Sequence, residues 1–370
     1  MVSLLKSISI MVGMGCLWAA GSPGAAATLT QANGEAAIAI SQLAQIDFEG
    51  VEEYEPTVPP APDEPLPPER FFEENAQIDY RVGALQPDYT GDLWVGSWRG
   101  LARIDPETGQ IRARVDLPDT VISALAQDRV GRIWVGTYGG LVRVDPRTNE
   151  ITAQNFLLPS NRVLALKLDT RGFLWVGTDQ GLAMVSPDRG LLMTTLRNFP
   201  GVSANAMILN RQGQLWVGTL DGVVRVDTAS AYVRQRNTSV PGRVVQALAI
   251  GPQGRLWAGT PAGLFVLDGG SGQITRTVNQ IRNRNVKSLD FDRTGSLWVG
   301  TSDGLFKLNP YNGAIIGRVP NLPSSEVLAL SPDTGNKLWV GTREGLAWVS
   351  LTTGRAAPHF GFIRPPEQFY

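Results

Sequence analysis

From residue 80 onward the chain consists of short apolar runs, four to seven residues long, separated by turns rich in glycine, proline and aspartate. A five-residue phrase, Leu-Trp-Val-Gly-Thr with small variations, recurs seven times in this part of the chain. Its tryptophans follow one another at intervals of 40 or 41 residues: Trp94, Trp134, Trp175, Trp216, Trp257, Trp298 and Trp339. Self-similarity at a fixed period of this size indicates a repeat architecture, in which each period is one small structural unit.

The period over residues 121–158 shows what each unit contains. Residues 121–127, 133–137, 141–144 and 151–155 are β-rich runs without a helical period, so they predict an antiparallel meander of four strands. The first turn begins with Asp or Asn and ends with Gly three positions later. The Asp or Asn side chain accepts hydrogen bonds from the backbone N–H groups that follow it, and Gly adopts the positive φ that the end of the turn requires. This pair occurs as Asp88/Gly91, Asp128/Gly131, Asp169/Gly172, Asn210/Gly213 and Asp292/Gly295.

Alternation in the tryptophan strand places Leu, Val and Thr on one face of the sheet and Trp and Gly on the other. An apolar residue also stands nine positions before every tryptophan: Leu85, Leu125, Leu166, Met207, Leu248, Leu289 and Leu330. Both faces are therefore apolar, which requires a sheet packed between two neighbouring sheets. Seven sheets arranged radially satisfy this requirement, so we predict an all-β fold, a seven-bladed β-propeller over residues 80–370.

In this propeller the seven tryptophans are predicted to form the structural core between blades. The glycine two positions after each tryptophan is expected to leave room for a side chain of the neighbouring blade. Two ways of closing the ring remain open. Residues 355–363 could supply the last outer strand, or a strand within residues 71–79 could complete the seventh blade.

The phrase Gly-x-Leu-Trp-Val-Gly-Thr-x-x-Gly-Leu-x-x-Val-Asp resembles the two-component regulator propeller repeat. The match covers about 290 residues and all seven copies, with departures such as Ser97 for Thr, Ala258 for Val and Val223 for Leu. The resemblance implies a propeller like those that form the extracytoplasmic sensors of hybrid histidine kinases and that also occur as free-standing secreted proteins. No length remains after the seventh copy for a kinase, so we expect the free-standing form, with any signalling passing through a partner.

The N-terminal part has the layout of an exported protein. Residues 1–27 combine Lys6, an apolar run over residues 8–20 and a small-residue cleavage site before Thr28, which predicts a signal peptide. We therefore expect a periplasmic or otherwise extracytoplasmic location. Cys16 leaves a lipoprotein anchor as a less favoured alternative, because Gly13 stands where such a signal has a leucine-like residue. Residues 28–79 are predicted to be a flexible, acidic and proline-rich segment.

Charge divides the chain in two. Residues 47–79 hold 11 acidic residues and one basic residue, whereas residues 80–370 hold 31 Lys and Arg against 22 Asp and Glu. The two parts could be solvated independently, or the acidic segment could mask a basic face of the body. Nucleic acid is not an expected partner, because the excess of +9 is spread over about 290 residues.

Residue types that carry catalysis or bind metals are scarce. The chain has one histidine, His359, and its one cysteine lies in the predicted signal peptide, so neither a metal site nor a cofactor is predicted. Propellers of similar repeat style include streptogramin lyases, which rely on a histidine general base. No matching motif surrounds His359, which we expect to be a surface residue, and we predict no catalytic residue. Asp290 and Asp292 faintly resemble part of a calcium loop, but the turn itself explains them better.

Ligands of propellers usually engage loops at one mouth of the central channel. Here that mouth is expected to collect the turns between second and third strands and the loops entering each first strand. The candidate binding residues are Trp98, Arg99, Tyr138, Arg162, Arg243, Arg284 and Arg343. Trp98 is expected to be an exposed anchor or, alternatively, to pack on Tyr138.

These positions predict a non-catalytic binding module, sensor-like and monomeric. Its expected partner is a protein or peptide, such as a membrane sensor or an exported complex, and an anionic ligand is also possible because arginine suits carboxylates. A carbohydrate-directed binding protein or a propeller lyase is the alternative.

Overall fold

The computed structural model describes residues 79–117, 121–154, 156–197 and 199–363. The predicted signal peptide and nearly all of the predicted acidic segment lie outside these residues. Within them the chain forms seven four-stranded antiparallel sheets, and each sheet is a meander of strands in chain order.

The first four blades comprise β1 (Val82–Pro87), β2 (Leu93–Ser97), β3 (Gly100–Ile104), β4 (Ile111–Val115); β5 (Ile122–Gln127), β6 (Ile133–Thr137), β7 (Gly140–Asp145), β8 (Glu150–Ala153); β9 (Val163–Leu168), β10 (Leu174–Thr178), β11 (Gly181–Ser186), β12 (Leu191–Leu196); and β13 (Ala206–Leu209), β14 (Leu215–Thr219), β15 (Gly222–Asp227), β16 (Tyr232–Asn237). The last three comprise β17 (Ala247–Ile250), β18 (Leu256–Thr260), β19 (Gly263–Leu267), β20 (Ile274–Thr277); β21 (Val286–Phe291), β22 (Leu297–Thr301), β23 (Gly304–Leu308), β24 (Ile315–Val319); and β25 (Val327–Thr334), β26 (Lys337–Thr342), β27 (Gly345–Ser350), β28 (Ala356–Pro358). Short 3-10 turns occupy Pro252–Gly254, Asn279–Ile281 and Phe360–Phe362.

The first strands of the seven sheets contact one another in cyclic order, from β1 through β5, β9, β13, β17, β21 and β25 back to β1. They form the innermost ring, and the fourth strands form the rim. This arrangement confirms the predicted all-β, seven-bladed propeller, in which the inner strands surround a central channel.

The tryptophan strands are buried on both faces, as the alternation of apolar residues predicts. In β6 and β10, as in the other second strands apart from Lys337, every residue is buried. Trp94 packs with Ile133 and Val135 of the next blade, and Trp339 packs with Leu93 of the first blade. The repeated tryptophan therefore joins neighbouring blades as well as filling its own.

The glycine after the tryptophan marks a close approach between blades. A Cβ atom built on Gly136 would lie 2.5 Å from Cγ1 of Val163, which is the start of the next inner strand. Gly259 meets Val286 in the same way, and Gly341 meets Val82 across the junction of the last and first blades. Glycine is needed at this position because a neighbouring side chain occupies the space of its missing Cβ.

The Asp turn connects local structure to the tryptophan. Oδ1 of Asp128 accepts from the backbone N–H groups of Val130 and Arg132, and Oδ2 accepts from Nε1 of Trp134 at 3.0 Å. Asp292 makes the same bond to Trp298 at 3.0 Å and an ion pair with Lys307 at 3.0 Å. These bonds explain the presence of Asp292 by its role in the turn, as the sequence led us to expect, and not by a calcium loop.

The last sheet is built from four consecutive strands of the described residues, whereas nearly all of the alternative strand within residues 71–79 lies outside them. The outer strand of the last blade is β28, which pairs with β27, so the first of the two predicted alternatives is confirmed. Side chains make the junction: Val82 and Leu93 of the first blade share a buried cluster with Trp339, Leu346 and Phe362.

Candidate functional site

One face of the ring carries both the turns between second and third strands and the loops that enter each first strand. Backbone hydrogen bonds join these two sets: Tyr138 donates to the carbonyl of Val121 at 3.1 Å, and Arg343 donates to that of Glu326 at 3.1 Å. We call this side the mouth face. All seven candidate binding residues lie on it.

Trp98 is half-buried rather than exposed, and it does not stack on Tyr138. Its ring contacts Tyr80, which lies two residues before β1, at 5.0 Å between centroids and an interplanar angle of 67°. The guanidinium of Arg99 lies 4.6 Å from the Trp98 centroid. Nε1 of Trp98 is buried and has no hydrogen-bond partner among the described residues.

A second stack of arginine on an aromatic ring lies on the two following blades. Arg162, which precedes β9, places its guanidinium 4.4 Å from the ring centroid of Tyr138 in the preceding blade. Neither Arg99 nor Arg162 has an ion pair with any carboxylate of the described residues. We call Tyr80, Trp98, Arg99, Tyr138 and Arg162 the arginine–aromatic sector.

The charges beside this sector are mixed. Burial lowers the pKa of Arg114, on the outer strand of the first blade, and the positive charge of Arg99 acts in the same direction, whereas the negative charge of Asp116 opposes the shift. A carboxylate of the chain therefore already lies near Arg114.

The other three candidate arginines each have a carboxylate partner in the chain, although Asp221 is shared with Arg236 and Glu326 with Lys287. Arg243 binds Asp221 at 2.7 Å and Arg343 approaches Glu326 at 3.7 Å, while Arg284 is bonded to Asp303. We call these three pairs the ion-paired sector. Hydrogen bonds from Arg243, and then from Arg236, hold the pKa of Asp221 below its usual value. A cavity of about 400 Å³ lies beside this carboxylate.

The structure thus divides the candidate arginines into two groups that residue type alone cannot distinguish. Trp98 with Arg99 and Tyr138 with Arg162 form two arginine–aromatic stacks on the first three blades, whereas each remaining candidate arginine has a carboxylate partner. The pairing partners were not evident from sequence, because Arg243 and Asp221 are 22 residues apart and belong to different blades.

A pair of charges in the channel was missed by sequence reasoning. The residue eight positions before each tryptophan lies opposite that tryptophan in the ladder: Gln86, Ala126, Lys167, Ile208, Ala249, Asp290 and Ser331. Two members of this layer, Lys167 and Asp290, are charged, and they belong to the third and sixth blades. The sequence contained a signal for these two charged residues, because the other five blades hold a small, apolar or neutral polar residue at the same position.

Burial dominates the electrostatics of this pair. It raises the pKa of Asp290 to about 6, although a hydrogen bond from the Phe291 N–H and the charge of Lys167 act in the opposite direction. Burial likewise lowers the pKa of Lys167, and the charge of Asp290 opposes this shift. The charge of each group shifts the pKa of the other, but the two groups do not form an ion pair within 4 Å.

His359 is not the surface residue that the sequence led us to expect. It is half-buried at the junction of the last and first blades, with Nε2 2.6 Å from the carbonyl oxygen of Gly109 and Nδ1 accepting from the Gly361 N–H at 3.2 Å. Its ring packs against Trp339 and Phe362. Both ring nitrogens are engaged by backbone groups, so the geometry gives no support to His359 as a general base.

Within the described parts of the chain, no group of three or more His, Cys, Asp or Glu side chains could hold a metal ion. In the same residues, no helix is long and apolar enough to cross a membrane.

A family profile described as two component regulator propeller matches residues 116–139 and 157–180. The two matched segments contain β5 with β6 and β9 with β10, including the tryptophan strand and the turn after it. A comparison with curated proteins gave no significant match.

Solved propellers resemble the structure over about seven-tenths of the chain. The extracellular domain of a putative hybrid two-component system from B. thetaiotaomicron aligns with TM-score 0.60 and 20% identity, over 71% of this chain and 39% of that one. Virginiamycin B lyase from Staphylococcus aureus aligns with TM-score 0.61 and 16% identity, over 72% and 92%. A chain of the mitotic checkpoint complex aligns with TM-score 0.61 and 17% identity, over 71% and 88%.

The chain therefore spans about two-fifths of the first of these structures, and identities this low establish the fold alone. The profile match adds a likeness in repeat type for the segments that lie in the second and third blades. The chain is a seven-bladed β-propeller that carries two segments matching the two component regulator propeller family.

Proposed function

We propose that the protein is a non-catalytic, exported binding module that holds an acidic segment of a protein or peptide partner on its arginine–aromatic sector. One observation carries this proposal: Arg99 and Arg162 are stacked on aromatic rings and have no carboxylate partner among the described residues. The other arginines proposed for the mouth face already have one.

The chemistry of the sector suits carboxylates. A guanidinium presents a planar fork of donors that binds a carboxylate with two parallel hydrogen bonds, and it is less strongly hydrated than an ammonium group. Stacking on Trp98 and Tyr138 orients the two guanidinium groups in advance, which lowers the entropy lost on binding. The same rings offer the large apolar contacts that dominate many interfaces.

Export is part of the proposal. It is supported by the layout of residues 1–27 and by the likeness to a protein described as an extracellular domain. A membrane sensor or an exported complex is the kind of partner this location would offer. The proposal requires no cofactor.

Two double variants of the full chain test the proposal. Arg99→Ala/Arg162→Ala removes the two guanidinium groups that have no carboxylate partner among the described residues, and Arg243→Ala/Arg343→Ala is the matched control, with equal loss of charge in the ion-paired sector. The probe is a capped peptide rich in Glu and Asp, compared with its Gln and Asn counterpart by calorimetry. Because a hydrogen bond to a charged group contributes about 1.5–3 kcal/mol, the first variant is expected to lose about tenfold or more in affinity.

The control variant is expected to bind the acidic peptide as the unchanged protein does, and added salt is expected to weaken binding by screening. Equal losses in both variants would show that net charge, and not the sector, attracts the peptide. Equal affinity for the acidic and neutral peptides would overturn the proposal.

A further inference from the structure

The fourth and sixth blades share a combination of two residues on the mouth face. Each has an aspartate in the turn between its second and third strands, which is Asp221 in the fourth blade and Asp303 in the sixth. Each also has an arginine at the same position of its outer strand, which is Arg236 on β16 and Arg318 on β24. A cavity lies beside each pair, of about 400 Å³ in the fourth blade and about 360 Å³ in the sixth. The two sites are therefore equivalent in position.

In the fourth blade the aspartate binds the outer-strand arginine. Oδ2 of Asp221 accepts from Arg236 at 2.5 Å, and its Oδ1 accepts from Arg243 at 2.7 Å. The carboxylate therefore lies between two guanidinium groups, whose planar forks of donors suit its oxygen atoms. The fourth blade thus shows which kind of group an arginine at this position binds when one is within reach, and that group is a carboxylate.

In the sixth blade the equivalent pair is not formed. Arg284, from the loop that precedes β21, is bonded to the carboxylate of Asp303, and the hydroxyl of Thr301 donates to the same group at 2.7 Å. Arg318 instead donates to the backbone carbonyl of Asp303 at 3.2 Å, and it has no ion pair with a carboxylate of the described residues. Its side chain is exposed, and its guanidinium lies 5.6 Å from the ring centroid of Phe306. The guanidinium of Arg318 is therefore positioned by its neighbours without being paired to an acidic residue of the described chain.

The charges around this arginine favour one further anion. The guanidinium groups of Arg284 and Arg318 lie over the same ring, that of Phe306, at 4.8 and 5.6 Å from its centroid. Asp303 supplies one negative charge beside these two positive charges. The group has an excess of one positive charge, which a single bound carboxylate balances.

The cavity beside Arg318 combines polar and apolar walls. Its polar wall includes Arg318, Ser324 and Ser325, and its apolar wall includes Val319, Pro320 and Leu322. The hydroxyl oxygen of Ser324 accepts from the Glu326 N–H at 3.2 Å, which leaves the hydroxyl proton available to donate to a ligand. The volume lies near the lower end of the range of small-molecule sites, roughly 300–1,000 Å³.

We propose that the cavity of the sixth blade binds a small apolar monocarboxylate. Its carboxylate occupies on Arg318 the place that Asp221 occupies on Arg236, with a further hydrogen bond from the hydroxyl of Ser324. Its alkyl or aryl group lies against the apolar wall. A single carboxylate is favoured over a dianion because the excess charge is one and Asp303 remains beside the site. This site goes beyond the proposed function and shares no residue with the arginine–aromatic sector.

Titration of the full chain with phenylacetate, followed by calorimetry, tests the proposal. Phenylacetamide has the same ring without the charge, and acetate has the charge without the ring. The protein is expected to bind phenylacetate about tenfold or more tightly than either, because the charged hydrogen bonds and the burial of the ring each contribute to affinity.

Variants of two equivalent arginines place the ligand in the structure. Arg318→Gln is expected to reduce the affinity for phenylacetate about tenfold, because it removes the charged donor. Arg236→Gln is the matched control, since it alters the equivalent outer-strand position of the fourth blade, and it is expected to bind phenylacetate normally. Arg99→Ala/Arg162→Ala is also expected to bind phenylacetate normally, so failure of this site and failure of the arginine–aromatic sector are distinguishable. Thermal melting verifies that each variant is folded.

Four outcomes overturn the proposal. The first is absence of binding at about 10 mM phenylacetate, and the second is equal affinity for phenylacetate and either of its two counterparts. The third is an Arg318→Gln variant that binds phenylacetate as the unchanged protein does. The fourth is a loss in Arg236→Gln or in Arg99→Ala/Arg162→Ala as large as that in Arg318→Gln.

Discussion

At the scale of single residues, Asp290 shows how one departure from a repeat creates a distinct chemical environment. Its position is held by alanine in the second and fifth blades and by isoleucine in the fourth. A carboxyl group at this position loses hydration in the wall of the channel, and the positive charge of Lys167 offsets part of the free-energy cost of ionising it there. Since the pKa rises from 3.8 to about 6, the ionised side chain opposes folding.

The first prediction concerns Asp290→Asn. The contribution of Asp290 to the stability of the wild-type protein falls as pH rises from about 4 to about 6, because this carboxyl group releases its proton in the unfolded chain before it does so in the folded chain. The asparagine variant lacks this loss, so its melting temperature is expected to exceed that of the wild type at pH 7. The difference is expected to disappear near pH 4. Thermal unfolding at several pH values measures both.

Asp221→Asn provides a contrast of opposite sign. Its arginine partners lower the pKa of the Asp221 carboxyl group, so the ionised form stabilises the fold and that contribution is lost as pH falls. This variant is expected to melt below the wild type at pH 7. If both variants shift the melting temperature in the same direction at pH 7, the assignment of the channel carboxyl group is wrong.

At the scale of elements, the strands closest to the repeated phrase were the most predictable. The predicted run 133–137 coincides with β6, whereas the predicted run 151–155 is β8 at Glu150–Ala153. The inner elements are specified by burial on two faces and by the close approach at glycine. An outer strand has one partner and an exposed edge, so its sequence is less constrained and its ends are harder to place.

The second prediction compares two glycines in strands. Gly136→Ala places a Cβ against Val163 of the next blade and is expected to destabilise the fold by about 1–3 kcal/mol, as overpacked cores do. Gly317→Ala on β24 is the matched control, because its Cβ would lie 3.7 Å from its nearest neighbour, an ordinary contact. Urea unfolding is the measurement. Equal effects of the two substitutions would contradict the packing role assigned to the repeated glycine.

At the scale of the whole molecule, the sequence predicted the ring but not how its residues pair across blades. The number of blades follows from counting one phrase, and the mouth face follows from strand direction. Which arginines have a carboxylate partner depends on contacts such as that between Arg243 and Asp221, which the packing of the fourth blade against the fifth brings together. The sequence likewise did not predict the interaction of Lys167 with Asp290, three blades away. Nor did it predict the contact of His359 with Gly109, which is 250 residues away.

The contrast between repeated residues and copy-specific residues leads to the central claim. The features shared by all seven copies build the ring, and we propose that the copy-specific residues of the first three blades carry binding. The seven repeated tryptophans are accordingly buried between blades, whereas Trp98 lies on the mouth face with its indole N–H unpaired among the described residues.

The indole N–H resonances of the tryptophans test this claim most directly. During titration of the full chain with the acidic peptide, the Trp98 resonance is expected to shift in proportion to binding, while those of Trp94 to Trp339 in the repeated phrase remain in place. Arg99→Ala/Arg162→Ala is expected to abolish the shift. A titration in which the repeated tryptophans move and Trp98 does not would contradict the account.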